Sequence, residues 1–184
     1  MYTDWNGTKS ICTFEALVTV AYRDGGTDEH PKYSIGFGSQ YPLVKLGDTI
    51  TVEEAFQRMI GHIKENDKII TNLLKVSVTQ HVWNALASLL YQAGIGPLRT
   101  VVSALNLLPV EQGILKFAEY GFSSPGLIKR RIREMSMAID GVYRDLTKYK
   151  FYDGNPRETT YIWKEFQDVE EFTSGLLSAG GQAI

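Results

Sequence analysis

The hydrophobic pattern of the chain changes at residues 51–74, TVEEAFQRMIGHIKENDKIITNLL. Thr51 followed three residues later by Glu54 is a capping box, which is typical of a helix start. From there, apolar residues recur every three or four positions, the spacing of one buried helix face. They are Val52, Ala55, Phe56, Met59, Ile60, Ile63, Ile70, Leu73 and Leu74. The stretch therefore predicts a long amphipathic helix.

The preceding residues, 20–50, have the composition of a small sheet with tight turns. They contain five glycines and two prolines, which separate short β-favouring runs such as 33–35 and 41–44. Such spacing predicts antiparallel strands over about 18–50. Before them lies an apolar stretch that predicts an N-terminal helix, with Ser10 and Thr13 as its possible caps.

On the other side of the long helix, the chain is helical in pattern. A second helix is expected to start near Thr79, and the glycines at 94 and 96 end it. Shorter helical stretches follow at 99–108, 111–120 and about 127–141. Strands and helices are thus segregated rather than alternating, which predicts an α+β domain over 1–142, with a β-lobe and a larger helical lobe over about 51–142.

The last 42 residues, 143–184, differ in composition from the rest. They hold 8 of the 21 aromatic residues and all of the net charge, with 5 basic and 7 acidic side chains. Aromatic residues at this density indicate that the segment packs against another protein surface. The sequence leaves open whether this C-terminal extension packs on the main lobe or on a partner.

Length, charge and composition exclude several classes of protein. A chain of 184 residues with 43% hydrophobic content is expected to form one domain, and its net charge of −2 argues against a basic nucleic-acid binder. No apolar run approaches the roughly 20 residues of a membrane span, and no signal peptide is visible, so synthesis in the cytoplasm is expected. Cys12 has no cysteine to pair with, and His30, His62 and His81 lack metal-ligand spacing, so neither a disulfide nor a metal is expected.

Two carboxylates in contrasting surroundings are the candidate catalytic groups. Glu15 lies in the apolar run 11–20, where poor hydration favours the protonated form that a general acid needs. Asp24 precedes two glycines in what reads as a wetter loop. Such a pair is typical of glycoside hydrolysis. A helix-end glutamate paired with arginine, and a turn aspartate bonded to its own backbone, are the structural alternatives.

The next predicted strand contributes two further features to the candidate site, a serine hydroxyl and a backbone segment with two glycines. Ser34 can hold a water molecule or simply cap a strand. Gly36 and Gly38 alternate around Phe37 and leave one strand face without side chains. That face permits close approach of a sugar or of another backbone.

Three ordered blocks make the sequence similar to the phage-type lysozymes, a family of glycoside hydrolases. The first is Glu15, then YRD at 22–24 and SIGFG at 34–38. The second is VTQHVWNALASLLYQAG at 78–94, which resembles the family's central helix. The third is GLIKRRIRE at 126–134, which resembles its Gly-Leu-x-x-Arg-Arg-x-x-Glu helix. The chain departs from the pattern in a longer loop after Asp24 and in a serine where the family has threonine at 34.

The resemblance implies a muramidase with a lysozyme-like fold, in which the long helix joins the two lobes. Glu15 would protonate the glycosidic oxygen of peptidoglycan, Asp24 would support the attacking water or the developing charge, and Ser34 would hold that water. No cofactor is implied. Substrate contacts would come from residues of both lobes: Tyr22, Tyr33, Gly36, Phe37, Gln92 and Arg131. The alternative for Gln92 is an amide that satisfies backbone groups, and that for Arg131 is a helix face in which Arg130 pairs with Glu134.

The sequence is compatible with three biological roles. The protein would be a monomeric lytic enzyme that reaches the cell wall in the periplasm, or a lytic domain of a virion that docks on other virion proteins through 143–184. Both share the same chemistry. The third is a peptidoglycan-binding relative without catalysis, against which the presence of both Glu15 and Asp24 argues.

Overall fold

The computed structural model describes residues 1–40, 43–121, 124–143 and 146–178. In chain order, the helices and strands are α1 (Trp5–Phe14), β1 (Leu17–Gly26), β2 (Pro31–Gly36), α2 (Val52–Leu73), α3 (Gln80–Ala93), α4 (Ile95–Leu107), α5 (Val110–Ile114), α6 (Pro125–Asp140), β3 (Lys148–Tyr152), β4 (Ile162–Glu165) and α7 (Glu170–Ser178), with 3-10 turns at Leu115–Tyr120 and Phe166–Val169. The fold is α+β, as predicted.

The described residues form two compact units. A helical unit comprises residues 1–11 and 62–143, and a sheet unit comprises 12–61 and 146–178. The chain passes from one unit to the other within α1 and again within α2. The long helix predicted from the capping box is therefore shared by both units.

The start of α2 follows the predicted capping box. Thr51 Oγ1 accepts a hydrogen bond from the backbone N–H of Glu54 at 3.1 Å, and Glu54 Oε2 accepts one from the N–H of Thr51 at 3.0 Å. Two N–H groups that the helix itself leaves unpaired are thereby satisfied. The first turn also carries Glu53, whose negative charge suits the positive end of the helix dipole.

The helix α1 begins earlier than the sequence suggested. Ser10 and Thr13 lie inside it, so the expectation that they cap it is wrong. The side chain of Asp4 accepts the N–H of Gly7 at 2.8 Å instead, which is the geometry of an N-terminal cap. The apolar pattern concealed this start because the first turn contains Trp5 and a glycine rather than a regular hydrophobic repeat.

The sheet is mixed, with strand order β2-β1-β3-β4. The hairpin of β1 and β2 is antiparallel, as predicted, with Tyr22 opposite Ser34. The strand β3 lies parallel to β1, and β4 pairs antiparallel with β3. A purely antiparallel sheet was therefore the wrong expectation. The predicted strand at 41–44 falls partly outside the described residues, and Leu43 and Val44 lie outside the strands.

Two of these strands come from the C-terminal extension, which packs on the chain's own sheet. Tyr149 of β3 is 1% exposed and lies 5.6 Å, ring to ring, from Phe56 of α2 and 5.1 Å from Phe166. The pair with Phe56 is edge to face and the pair with Phe166 is tilted. Aromatic pairs add about 0.5–1.5 kcal/mol each beyond the area that they bury. The aromatic residues of the extension thus complete the core of the sheet unit.

The glycine-flanked segment after β2 belongs to the same core. Phe37 is 1% exposed, and its ring lies 4.9 Å from that of Phe56. Gly36 has φ of 63°, and a side chain there would meet the Cβ of Ala55 at 3.3 Å. Gly36 therefore allows the close approach of α2, whereas a Cβ placed at Gly38 would have no atom of the described residues, its chain neighbours aside, within 4 Å. The predicted substrate contact of Phe37 does not fit this burial.

The helices of the other unit end where local signals predict. The Thr79 hydroxyl accepts the N–H of Val82 at the start of α3, and Gly94 ends that helix with φ of 79°. Gly141, in the left-handed conformation, ends α6. None of the described helices is long and apolar enough to cross a membrane.

Candidate active site

Glu15 directly follows α1 and stands two residues before β1. A helix that ends and a strand that begins within three residues leave its side chain at a junction of two elements rather than on a regular face. The residue is partly exposed, so water and ligands can reach it. This position at a helix end agrees with the one inferred from the sequence.

Asp24 and Ser34 are joined across the hairpin. Asp24 lies near the end of β1 and is exposed, whereas Ser34 is fully buried on β2. The Ser34 hydroxyl donates a hydrogen bond to Asp24 Oδ2 at 2.7 Å, a short contact typical of a charged acceptor. Gln40 donates from Nε2 to Ser34 Oγ at 3.3 Å.

This arrangement changes the role of Ser34. Its single proton is committed to the carboxylate, and one of its lone pairs is used by Gln40. The buried hydroxyl therefore fixes the orientation of Asp24. Gln40, a residue that sequence reasoning missed, supports the hydroxyl in turn.

Tyr22 lies within electrostatic reach of both carboxylates. The pKa of its phenol is raised to about 12, mainly by burial and then by the negative charges of Asp24 and Glu15, in that order of importance. An effect of both charges on one hydroxyl requires that both lie near it, because such interactions weaken with distance. The structure thus brings together Glu15, Tyr22, Asp24 and Ser34.

The C-terminal extension also reaches this site. The positive charge of Arg157 lowers the pKa of Tyr22, whereas Tyr152 raises it. The hydroxyl of Thr19 on β1 donates to the backbone oxygen of Tyr152 at 3.2 Å. Sequence reasoning missed Tyr152 and Arg157, because only the pairing of β3 with β1 brings them beside Tyr22.

Tyr33 lies opposite Arg23 in the hairpin and is partly exposed. Arg23 forms an ion pair with Asp28 of the long hairpin loop at 2.7 Å, and the Asp28 side chain is almost entirely exposed. Surface pairs of this kind contribute little stability. The loop therefore borders the site without a rigid attachment through this pair.

The remaining predicted site residues lie in the helical unit. Arg131 is 2% exposed, and its Nη2 donates to Gln92 Oε1 at 3.1 Å and to Glu134 Oε1 at 3.0 Å. A direct contact of Arg131 with substrate does not fit this burial. The guanidinium instead orients the amide of Gln92, which is partly exposed.

Glu134 is the centre of this buried cluster. Its carboxylate also pairs with Arg130 at 3.1 Å, as expected for residues four apart, and accepts a hydrogen bond from Ser88. Complete burial raises the pKa of Glu134, while the two arginines and Ser88 oppose that shift. Burial likewise lowers the pKa of Arg131.

Metal ligation is not a feature of the described residues. They hold no group of three or more histidine, cysteine, aspartate or glutamate side chains placed to bind an ion. Cys12 is buried, and its pKa is raised mainly by that burial.

A helical unit, together with a sheet unit in which two carboxylates lie within electrostatic reach of one phenol, is typical of the lysozyme-like class. The family can be named from the sequence as well. The model of the phage lysozyme family matches residues 12–134, two thirds of the chain, and the protein belongs to this family. Its β3, β4 and α7 lie beyond the matched span.

Individual relatives agree with this assignment. An endolysin of Bacillus phage B103 is 28% identical over 92% of this chain and 66% of its own length. An endolysin of Bacillus phage PZA is 30% identical over 77% of this chain and 57% of its own length. The chain thus spans less than two thirds of both curated relatives. The structure of an endolysin from Escherichia coli O157:H7 phage FAHEc1 superposes with a TM-score of 0.70 at 26% identity, covering 79% of this chain and 98% of that one.

Proposed function

We propose that the protein is a muramidase, which hydrolyses the β-1,4 bond between N-acetylmuramic acid and N-acetylglucosamine in peptidoglycan. Its membership of the phage lysozyme family and its endolysin relatives support this activity. The observation that carries it is that Glu15 and Asp24 both lie within electrostatic reach of Tyr22, while the Ser34 hydroxyl holds Asp24 in place. Two carboxyl groups on either side of one bond are what glycoside hydrolysis needs.

In the proposed reaction, Glu15 gives its proton to the glycosidic oxygen as the bond to the sugar carbon breaks. The positive charge that develops on the sugar ring is stabilised by the carboxylate of Asp24, which also orients the incoming water. Water adds to the sugar carbon, and one of the two carboxylates accepts the proton that the water loses, so the pair again holds one proton, as it did before the reaction. Ser34 and Gln40 are positioning residues, because they act through Asp24.

Substrate contacts are proposed for the exposed parts of the site. Tyr22 presents its phenol within electrostatic reach of both carboxylates. Tyr33 is partly exposed on the neighbouring strand of the hairpin, and in the helical unit Gln92 presents an amide that Arg131 holds in place. These groups suit the hydroxyl and acetamido groups of amino sugars, which both donate and accept hydrogen bonds. The protein would act on the bacterial wall, outside the cytoplasm.

The decisive test is Glu15→Gln, which keeps the shape of the side chain but removes its proton-donating carboxyl group. Lysis of permeabilised cells, followed as loss of turbidity, should fall on the order of 10²–10⁴-fold, while the melting temperature stays unchanged. Glu29→Gln is the matched control, because Glu29 is exposed in the hairpin loop. Equal lysis by Glu15→Gln and the control would rule out Glu15 as the acid.

Analysis of the products tests the reaction itself. Peptidoglycan digested by the native protein should carry reducing muramic acid ends, with a mass gain of one water per cleaved bond. Anhydro ends would show a transglycosylase instead. Absence of any released fragment, in a protein that still sediments with peptidoglycan, would mean a binding module without catalysis.

A further inference from the structure

Three aromatic rings form a row on the hairpin of β3 and β4, beyond the part of the chain that matches the family. The rings of Tyr152 and Tyr161 are 5.8 Å apart, and those of Tyr161 and Trp163 are 5.5 Å apart. Tyr161 is 41% exposed and Trp163 53% exposed. We call these three residues the aromatic row.

The strand register places the row on the outer face of the sheet. Lys150 lies opposite Trp163, and side chains that are opposite in an antiparallel pair share one face. Tyr152 is two residues from Lys150 and therefore lies on that face too. Tyr149 and Phe151 alternate with them and point into the core, where both are buried. The row is thus separate from the core that the extension completes.

Exposed tryptophan and tyrosine rings side by side are costly to keep in water, and contiguous apolar patches mark interaction sites. The row carries polar groups at its edge: the Lys150 ammonium lies 5.2 Å from the Tyr161 ring, and two of the three rings carry hydroxyls. A flat aromatic surface with donors at its edge suits the apolar face of a pyranose ring, whose hydroxyls project sideways. The distance between the centroids of neighbouring rings, 5.5–5.8 Å, is comparable with the length of one sugar unit.

The row also has one end near the candidate active site, since Tyr152 acts electrostatically on Tyr22. Tyr152, at one end of it, receives the Thr19 hydroxyl on its backbone oxygen, and Thr19 is on β1, the strand that carries Tyr22 and Asp24. Arg157, in the connection between β3 and β4, acts electrostatically on Tyr22. A glycan strand that is cleaved beside Asp24 would therefore meet the row with its neighbouring sugars.

We propose that Tyr152, Tyr161 and Trp163 form an accessory subsite that binds the glycan strand of peptidoglycan beside the catalytic carboxylates. This inference rests on the proposed muramidase function and names how its polymeric substrate is held. Rigid aromatic side chains lose little conformational entropy on binding, which favours their use for this purpose. The subsite adds affinity for long strands and leaves the chemistry to Glu15 and Asp24.

The test compares Trp163→Ala with Ile162→Ala, the neighbouring residue on the same strand. Ile162 is 56% exposed, but it faces the other side of the sheet, opposite Phe151, so it is a control for loss of exposed apolar surface. The KM for purified, long-strand peptidoglycan should rise about three- to tenfold in Trp163→Ala, with kcat little changed, as expected for the loss of one stacked ring. Trp163→Phe should restore most of the affinity, because it restores an aromatic face.

Further measurements separate the ways in which the idea can fail. Melting temperatures establish that each variant is folded, and short soluble muropeptide oligomers report cleavage without the contribution of a long strand. If the native protein cleaves peptidoglycan but Trp163→Ala has the same KM as Ile162→Ala, the subsite is refuted and the muramidase function stands. The row would then be a surface for contact with protein. If the native protein cleaves neither substrate, the muramidase function itself fails.

Discussion

Two carboxylates, one in each unit, have opposite surroundings and serve different purposes. Glu134 is completely buried, and two arginines and a serine hold it. Asp24 is exposed, and the structure gives it one short hydrogen bond, from Ser34. A carboxylate surrounded by protein partners organises its neighbours, whereas one that keeps an oxygen towards water can act on a substrate. Burial, more than residue type, separates the two roles.

The largest expected effect comes from breaking the buried cluster. Glu134→Ala should lower the free energy of unfolding by about 3–5 kcal/mol, because it leaves two buried guanidinium groups without their carboxylate. Chemical denaturation measures this change. Glu119→Ala is the matched control: Glu119 pairs with Lys116 at 2.6 Å, but both side chains are well exposed, so the loss of stability there should be small. Similar losses of stability in both variants would contradict the difference between the buried and the exposed ion pair.

A smaller effect, on activity rather than on stability, is expected when the hydrogen bond to the exposed Asp24 is removed. Ser34→Ala removes the hydroxyl that holds Asp24, and lysis should fall about tenfold, which corresponds to about 1.4 kcal/mol in the barrier. Stability should change by only about 0.5–1.5 kcal/mol, because water can replace the lost partner at exposed Asp24.

Thr27→Ala serves as the control for Ser34→Ala. It also removes a hydroxyl that accepts a hydrogen bond in the hairpin, from the N–H of His30, but that hydroxyl is exposed. Kinetics and denaturation should both leave this variant close to the native protein. A Ser34→Ala variant that unfolds early but lyses cells normally would assign the hydroxyl to stability instead.

The smallest effect concerns alkaline pH. The pKa of Tyr22 is raised from 10.0 to about 12, so the unfolded chain loses this proton at lower pH than the folded protein. Tyr22 therefore makes stability fall as pH rises from about 10 to 12. In Tyr22→Phe that part of the decline should be absent, as urea denaturation at pH 9 and at pH 11 would show. The exposed Tyr161→Phe variant is the comparison, and the same pH dependence in both would contradict the assignment of the effect to Tyr22.

Some features of the fold could be predicted because their signals are local. The capping box of Thr51 and Glu54 predicts the start of α2 to within one residue. Gly94 and Gly141 end their helices because glycine readily adopts the positive φ that is needed there. The antiparallel hairpin, with Ser34 near Asp24, follows from turn residues and from the short separation of its strands.

Other features escaped prediction because they depend on contacts distant in sequence. The parallel pairing of β3 with β1 joins residues more than 130 positions apart, and no local pattern specifies it. It decides that Phe37 packs in a core with Tyr149, and that Arg157 lies near Tyr22. The burial of Arg131 likewise depends on partners from α3, such as Gln92.

The sequence by itself determined the α+β class, the main helix boundaries and the family, since capping groups, glycines and hydrophobic periods act within a few residues of one another. Only the tertiary structure decided which polar groups keep access to water. Whether a side chain is buried depends on what packs over it, and those elements come from distant parts of the chain. This is why Asp24 and Trp163 lie open while Glu134 and Phe37 are enclosed.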